Sequence, residues 1–501
     1  MNSNQISKVE NLFNEFHQNR VDYCHFKSNE HLDASFKGLT DFDVLFDTNQ
    51  EDQVKKILIS NGFLKFNSVW FLKYPYVEDF ILLENGKIFH IHAHFKLLVG
   101  KSGIKNYILP WDKQILESRI YRKDYCVYTS SPTYEMLLLI VRISLKLSFT
   151  KTNFNYRREV LDAKREFLWL KERVLKKELT ALSISFFGKN IKDIIESIYD
   201  ENINLKNING FYNRASNQLN KSRRYTFLQS IFIKYFRKGF QILAIINKRF
   251  NLVPHIKNHR TLKGKGLIIS LLGADGSGKS TQVKYVKEIL SKKMDVRFAY
   301  MGSGNGPMSW HRKVFKFGNK VLKKSIQKSE KSQNHKGKEK IDLKYVFKIM
   351  YFLSLAIEKR SKLKKLDFFR KKGMICITDR YPQTQIHNYN DGIHMGNWLN
   401  SSNFLLRMLA DFEYKCYEKS DHIRPNVVFK LIGNPSVLSN RRNGDMSNEE
   451  ISKKQNGIQS LTFGSDVDVV HIDANQSKDE ITKQILSKIG ECLLILQNEK
   501  N

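Results

Sequence analysis

Residues 266–281 read GLIISLLGADGSGKST, an apolar run that breaks into a glycine-rich turn and ends on one lysine and two hydroxyl side chains. Gly273, Gly278, Lys279 and Ser280 satisfy the spacing G-x-x-x-x-G-K-[ST], between a buried-strand pattern and the helical pattern TQVKYVKEIL. The chemistry this serves is the holding of phosphate. Gly273, Gly276 and Gly278 open backbone conformations closed to residues with a Cβ, so successive N–H groups turn inward on phosphate oxygens. The whole run Gly273, Ala274, Asp275, Gly276, Ser277, Gly278, Lys279, Ser280 and Thr281 is therefore a candidate cradle for a nucleotide's phosphates. Lys279 adds a mobile point charge, the Ser280 hydroxyl is the expected Mg2+ ligand, and the helix that follows points its positive dipole end at the anion.

A second block, GMICITDRYPQTQIHNYNDGI at 373–393, delivers Asp379, Arg380 and Tyr381 to the carboxyl end of a buried strand. That is the edge where open α/β sheets bind ligands. Asp379 there completes a Mg2+ shell beside Ser280, and Arg380 grips a phosphate with its planar fork, unless the two are a structural ion pair at a strand end. Farther on, NVVFKLIGNPSVLSNRRNGDMSNEE sets Arg441 and Arg442 after a strand, where a closing lid brings them onto transferring phosphates; a plain surface pair is the alternative. The strand VDVVHIDAN ends on Asp473 and closes the sheet.

The third patch lies near the N-terminus. In YCHFKSNEHLDASFKGLTDFDVLFD, residues 23–47, Asp41 and Asp43 stand two apart on a predicted strand and so share one face, an arrangement that binds Mg2+ for nucleotidyl transfer. Ser28 and Gly38 precede them. A third acid on a later strand would complete the set, but the later strand KIFHIHAHFKLL offers His90, His92 and His94. Three imidazoles on one face are either a metal set or hydrogen-bonded residues of a half-buried strand, and the second is the expectation.

These patches need elements to position them. Residues 1–130 alternate short apolar runs with turns, which predicts an α+β domain; 131–260 carry apolar residues at helical spacing, which predicts a helical connector; 261–501 alternate strands with helices, which predicts a parallel sheet with helices on both faces. The fold class is α/β. At 501 residues the chain exceeds the size of one core, and its five dispersed cysteines suggest reduced thiols in a cytoplasmic setting. A formal charge of +34 attracts anionic lipid, polyanions and nucleic acid. The basic run 312–340 lacks the interleaved aromatics that stack on bases, so it reads as a solvated loop and nucleic acid is not the expected partner. Residues 223–250 combine basic and apolar side chains in an amphipathic helix, either packed on a domain or lying on the inner face of an anionic membrane. A homodimer is compatible with all of this.

GADGSGKST, the DRY triplet, the arginine pair and the terminal strand together resemble the thymidylate kinase branch of P-loop nucleoside monophosphate kinases. The resemblance implies a three-layer α/β/α domain in which Lys279 and the loop amides hold ATP, Ser280 and Asp379 serve Mg2+, Asp275, Arg380 and Tyr381 face the acceptor, and Arg441 or Arg442 acts from the lid. It implies transfer of the γ-phosphoryl of ATP to a nucleoside monophosphate such as dTMP. Two departures matter: YMGSGNGPMSW has no Arg where typical members bind the acceptor phosphate, and DRYPQTQIHNYNDG is similar instead to kinase-like proteins of bacterial surface-polysaccharide clusters. Those departures leave a sugar or glycan terminus as acceptor, or an ATP-binding regulatory protein without transfer. The patch Ser28, Asp41 and Asp43 resembles the nucleotidyltransferase superfamily, in a form whose third acid is replaced.

Overall fold

A computed structural model describes residues 7–101, 103–147, 156–250, 257–303 and 343–498. The basic run 312–340 lies outside the described residues. The chain is α/β and divides into two compact units, Met1–Lys263 and Gly264–Asn501.

The first unit holds strands β1 (Tyr23–His25), β2 (Phe42–Phe46), β3 (Leu64–Asn67), β4 (Val77–Glu84), β5 (Lys87–His94), β6 (Leu97–Val99), β7 (Tyr107–Leu109), β8 (Ile120–Arg122), β9 (Val127–Thr129) and β10 (Thr261–Leu262). All but the β6–β7 pair join one mixed sheet in the order β10-β3-β4-β5-β2-β1-β9-β8. The helix Lys8–Gln18 presents Val9, Leu12, Phe13 and Phe16 at three- and four-residue spacing, and this stripe packs on Phe42, Val44 and Phe46 of β2. A capping box between Ser7 and Glu10 fixes its start. The helix Pro132–Leu147 is buried on nearly every side, from Met136 to Val141, and shares a core with Cys24, Phe26 and Leu45 of the sheet region and with the helices up to Lys221. Helices and strands here thus fill one interior.

Register places the chemistry. β2 runs parallel to β5 with Asp43 opposite His92 and Leu45 opposite His94, while β4 runs antiparallel to β5 with Asp79 opposite His92. Residues directly opposite share a face, so β2, β5 and β4 assemble acids and imidazoles side by side.

The second unit contains β11 (Ile268–Gly273), β12 (Val296–Tyr300), β13 (Ile375–Asp379), β14 (Val427–Ile432) and β15 (Asp468–Asp473), all parallel, in the order β12-β13-β11-β14-β15. Near-continuous apolar sequence makes the three central strands, β13, β11 and β14, as burial on both faces requires, whereas the edge strands β12 and β15 are mostly exposed or half-buried. Leu271 pairs with Asp379 and Gly273 with Leu431, so the carboxyl ends of the three central strands lie level. The loop after β11 enters the helix Lys279–Ser291 directly, with Gly278 at its N-cap in the left-handed region.

Candidate active site

The loop after β11, the end of β13 and the turn after the helix Pro435–Asn440 enclose a cleft of about 440 Å³. It is lined by Asp275, Gly276, Gly278, Lys279, Ser280, Thr281, Tyr300, Arg380, Arg441 and Arg442. Sequence spacing alone picked out nine of these ten; Tyr300, at the end of β12, carried no motif.

Lys279 is 5 % exposed, and its Nζ donates to the Ala274 carbonyl at 3.1 Å, curling back over the loop. Burial, and then the nearby Arg380 charge, push its pKa down to about 8. The Ser280 hydroxyl stands 2.5 Å from Asp379 Oδ2, which places the two residues read as cation ligands in direct contact, between the first turn of the helix Lys279–Ser291 and the end of β13. Asp379 is 3 % exposed, and its Oδ1 is buried with no hydrogen-bond partner, as is the Ser277 hydroxyl. A buried acceptor without a donor costs free energy. An orphaned carboxylate oxygen beside a hydroxyl is an oxygen donor set, and it fits a hard divalent cation such as Mg2+.

Asp275 is the local hub. Its carboxylate meets Arg380 at 2.8 Å, Lys454 at 2.8 Å and Lys279 at 3.6 Å. Burial opposes its ionisation, but the Lys454 hydrogen bond and the Lys279 and Arg380 charges outweigh it and hold the carboxyl well below its usual range. Arg380 also reaches Asp391 at 3.2 Å; although burial disfavours its charge, Asp391 and Asp275 keep it firmly cationic. Its backbone sits at φ 71°, a strained conformation for a residue with a side chain. Lys454, from the helix Asn448–Ser460, and Asp391 are contributors that sequence reasoning missed.

The arginine pair lies on the cleft wall. Arg441 donates to the Ala474 carbonyl at 2.9 Å, and Arg442 stands 3.8 Å from Asp445. Asp473 accepts from the Asn475 backbone and side chain and so shapes the turn after β15. Tyr381 does not line the cleft. Its ring is 2 % exposed in the core, and its hydroxyl donates to the Ile423 carbonyl, so a substrate-facing role does not fit its packing. The left-handed turn at Arg380 breaks strand alternation and sends the next side chain inward.

In the first unit, Asp41 and Asp43 part company. Asp43 pairs with Lys27 at 2.8 Å and with His94 at 3.2 Å. Asp41 Oδ2 lies 3.2 Å from both His90 Nδ1 and His92 Nε2. The opposite nitrogens of the same two rings converge on Asp79 Oδ1, at 3.0 Å for His90 and 3.1 Å for His92, and Arg260 Nε joins them at 2.9 Å. Burial works against charge throughout this cluster, yet the imidazole contacts hold Asp41 and Asp79 ionised far below the usual carboxylate range. Against its own burial, His92 is raised to about 9 by these acids, whereas burial pushes His94 down to about 4. Asp79, not singled out from the sequence, is the acid that joins this group, through the rings and not directly. Ser28 has φ 57°, and its backbone N–H donates to Glu166 at 3.3 Å.

No family model matches the chain. Two curated proteins of Escherichia coli K12 are similar to it: an uncharacterized ATP-binding protein YghS, 25% identical over 232 residues that cover 45% of this chain and 93% of that protein, and an uncharacterized ATP-binding protein YghR, 25% identical over 220 residues that cover 43% and 84%.

Proposed function

We propose that the chain binds ATP in the Gly264–Asn501 cleft and transfers its γ-phosphoryl group to an acceptor, a nucleoside monophosphate such as dTMP being the first candidate. The observation that carries this reading is the contact of Ser280 with the buried, half-unpartnered Asp379 at the foot of a phosphate-type loop, facing a wall of cations. The names of the two similar proteins support its ATP-binding part.

Ser280 and Asp379 would hold Mg2+, which neutralises phosphate charge when bound. The loop amides and Lys279 grip the phosphate tail; Arg380, fixed on both sides by Asp275 and Asp391, keeps its fork in one orientation; Arg441 and Arg442 offer charge to the group in flight. Such catalysis is positioning and electrostatics. Purified chain with γ-labelled ATP and a panel of nucleoside monophosphates and saccharides tests it. Label on dTMP supports the reading, and a Lys279→Ala variant with undiminished transfer overturns the site.

One observation favours a second reading, a glycan acceptor at a membrane surface. On the helix Phe227–Phe250, one side packs Phe240 and Ala244 against Val69 and Phe71, while Leu228 (76 %), Phe232 (68 %) and Ile245 (69 %) are exposed beside Lys234, Arg237 and Lys238. No described helix is long and apolar enough to cross a bilayer, so such a surface suits lying along an anionic one. Label on a saccharide, together with co-sedimentation on anionic but not neutral vesicles, would select this reading.

A further inference from the structure

The cluster on β2, β4 and β5 is not used by phosphoryl transfer. We propose that Asp41, His90 and His92 bind one divalent cation of borderline character, of the zinc class, within the Met1–Lys263 unit.

Convergence of side-chain atoms carries the argument. A carboxylate oxygen only accepts hydrogen bonds, so Asp79 Oδ1, at 3.0 Å from His90 Nε2 and 3.1 Å from His92 Nδ1, places a ring proton on each of those nitrogens. Asp79 is itself held, by Arg260 on Oδ1 and by the Ser68 hydroxyl at 2.6 Å on Oδ2. The remaining nitrogens, His90 Nδ1 and His92 Nε2, face Asp41 Oδ2, each 3.2 Å away; without an ion His92 Nε2 shares a proton with that carboxylate, and a bound metal would take the proton's place. An ion in that position would be met by two ring nitrogens and one carboxylate oxygen at once. His90 is 1 % exposed, and its Nδ1 has no hydrogen-bond partner.

Geometry fits a metal. Ligand atoms from the three residues all lie within 4.8 Å of one another. About a tetrahedral ion with bonds of roughly 2.0–2.1 Å, neighbouring ligand atoms sit about 3.3 Å apart, close to the two 3.2 Å separations here. A carboxylate that orients the far nitrogen of each ligating imidazole is the usual outer support of such sites. Two nitrogens and one oxygen select zinc, cobalt or nickel over Mg2+, which prefers an all-oxygen shell.

Lys27 and His94 are engaged with Asp43, and Arg260 with Asp79. Side chains of Asp41 and His92 remain 25 % and 22 % exposed, which gives an ion a way in and leaves a coordination position for water or a substrate oxygen.

The test uses tag-free full-length chain, stripped with a chelator and titrated with Co2+ and then Zn2+. One equivalent of Co2+ should give the intense visible band of a low-coordinate nitrogen–oxygen site, and one equivalent of Zn2+ should abolish it. Asp41→Asn and His92→Gln should lose that equivalent, and Asp79→Asn should weaken it by about 10- to 100-fold through the ring tautomers. His94→Gln, on the other acid, should keep it. Should His92→Gln fail to fold by circular dichroism, the graded loss in Asp79→Asn against retention in His94→Gln decides the matter. A band unchanged in His92→Gln overturns the proposal, and so do 15N imidazole shifts showing His92 doubly protonated at neutral pH and indifferent to Zn2+.

Discussion

Gly276 and Gly278 occupy the same loop with nearly the same backbone, at φ 87° and 81°, yet an added methyl would meet different surroundings. At Gly276 a Cβ would lie 2.4 Å from the Leu438 carbonyl oxygen and 3.3 Å from Arg442 Cγ; at Gly278 it would meet nothing within 4 Å. Alanine in the left-handed region costs about 1–2 kcal/mol at either position, and the entropy it removes from the unfolded chain is the same. Those terms cancel in a comparison. What differs is that the backbone at Leu438 must retreat by roughly 1 Å, an overpacking strain of about 1–3 kcal/mol. Gly276→Ala should therefore melt several degrees below Gly278→Ala, at about 2–4 °C per kcal/mol for a unit of this size. Titration calorimetry with Mg–ATP should give the opposite ranking of mechanism. Gly278→Ala stays folded but fills space where phosphate belongs, losing at least about 10-fold in affinity, or 1.4 kcal/mol. Equal melting temperatures would refute the packing argument, and wild-type ATP affinity in Gly278→Ala would refute the cradle.

Asp379→Asn should leave the melting temperature within about 1–2 °C of wild type while cutting transfer by about 100-fold or more, on the scale of losing one preorganised electrostatic contact; steady-state kinetics and Mn2+ binding check it. Because burial has brought Lys279 down to about 8, its ammonium is present below that pH and phosphate binding must take up a proton above it, so ATP affinity should fall as pH rises past 8 and stay flat in Lys279→Arg. A pH series of ATP titrations reads this directly. Asp275→Asn removes the anion that Lys279, Arg380 and Lys454 share, so near pH 6 the ligand-free protein should melt lower while ATP binds several-fold tighter; unchanged affinity would show that Asp275 does not compete with phosphate.

What the sequence disclosed and what it withheld divides along range. The cradle from Gly273 to Thr281 is a local spacing, and the strand ends at Asp379 and Gly273 are local apolar runs, so both were legible. Lys454 reaches Asp275 across 179 positions, and nothing around it in ISKKQNG marks it from other surface lysines. Asp79 looks like any polar residue of an alternating strand until β4 and β5 are paired in one particular register, because a shift by one residue would turn it to the other face. The D-x-D spacing promised a joint site at Asp41 and Asp43, but the sheet gave each acid a different imidazole. Tyr381 turns into the core after a residue at positive φ, and the acids that hold the Arg380 guanidinium, Asp275 and Asp391, are not its neighbours in sequence, so nothing local announced that turn.

The two clusters gather different chemistry, and this decides what each asks of a ligand. Around the Gly264–Asn501 cleft, Lys279, Arg380, Arg441 and Arg442 line the wall and Lys454 stands behind Asp275, against the acids Asp275, Asp379 and Asp391, and one carboxylate serves three cations at once. A polyphosphate supplies the missing negative charge. On the face of β2, β4 and β5, two carboxylates sandwich two imidazoles, and Asp41 with one nitrogen of each ring offers three ligand atoms to an ion. A divalent cation suits that set. A ligand that binds the folded state and not the unfolded chain adds stability, about 2.7 kcal/mol at one hundred times its dissociation constant. Polyphosphate and divalent metal should therefore stabilise through different residues, with Lys279→Ala silencing only the first response and His92→Gln only the second.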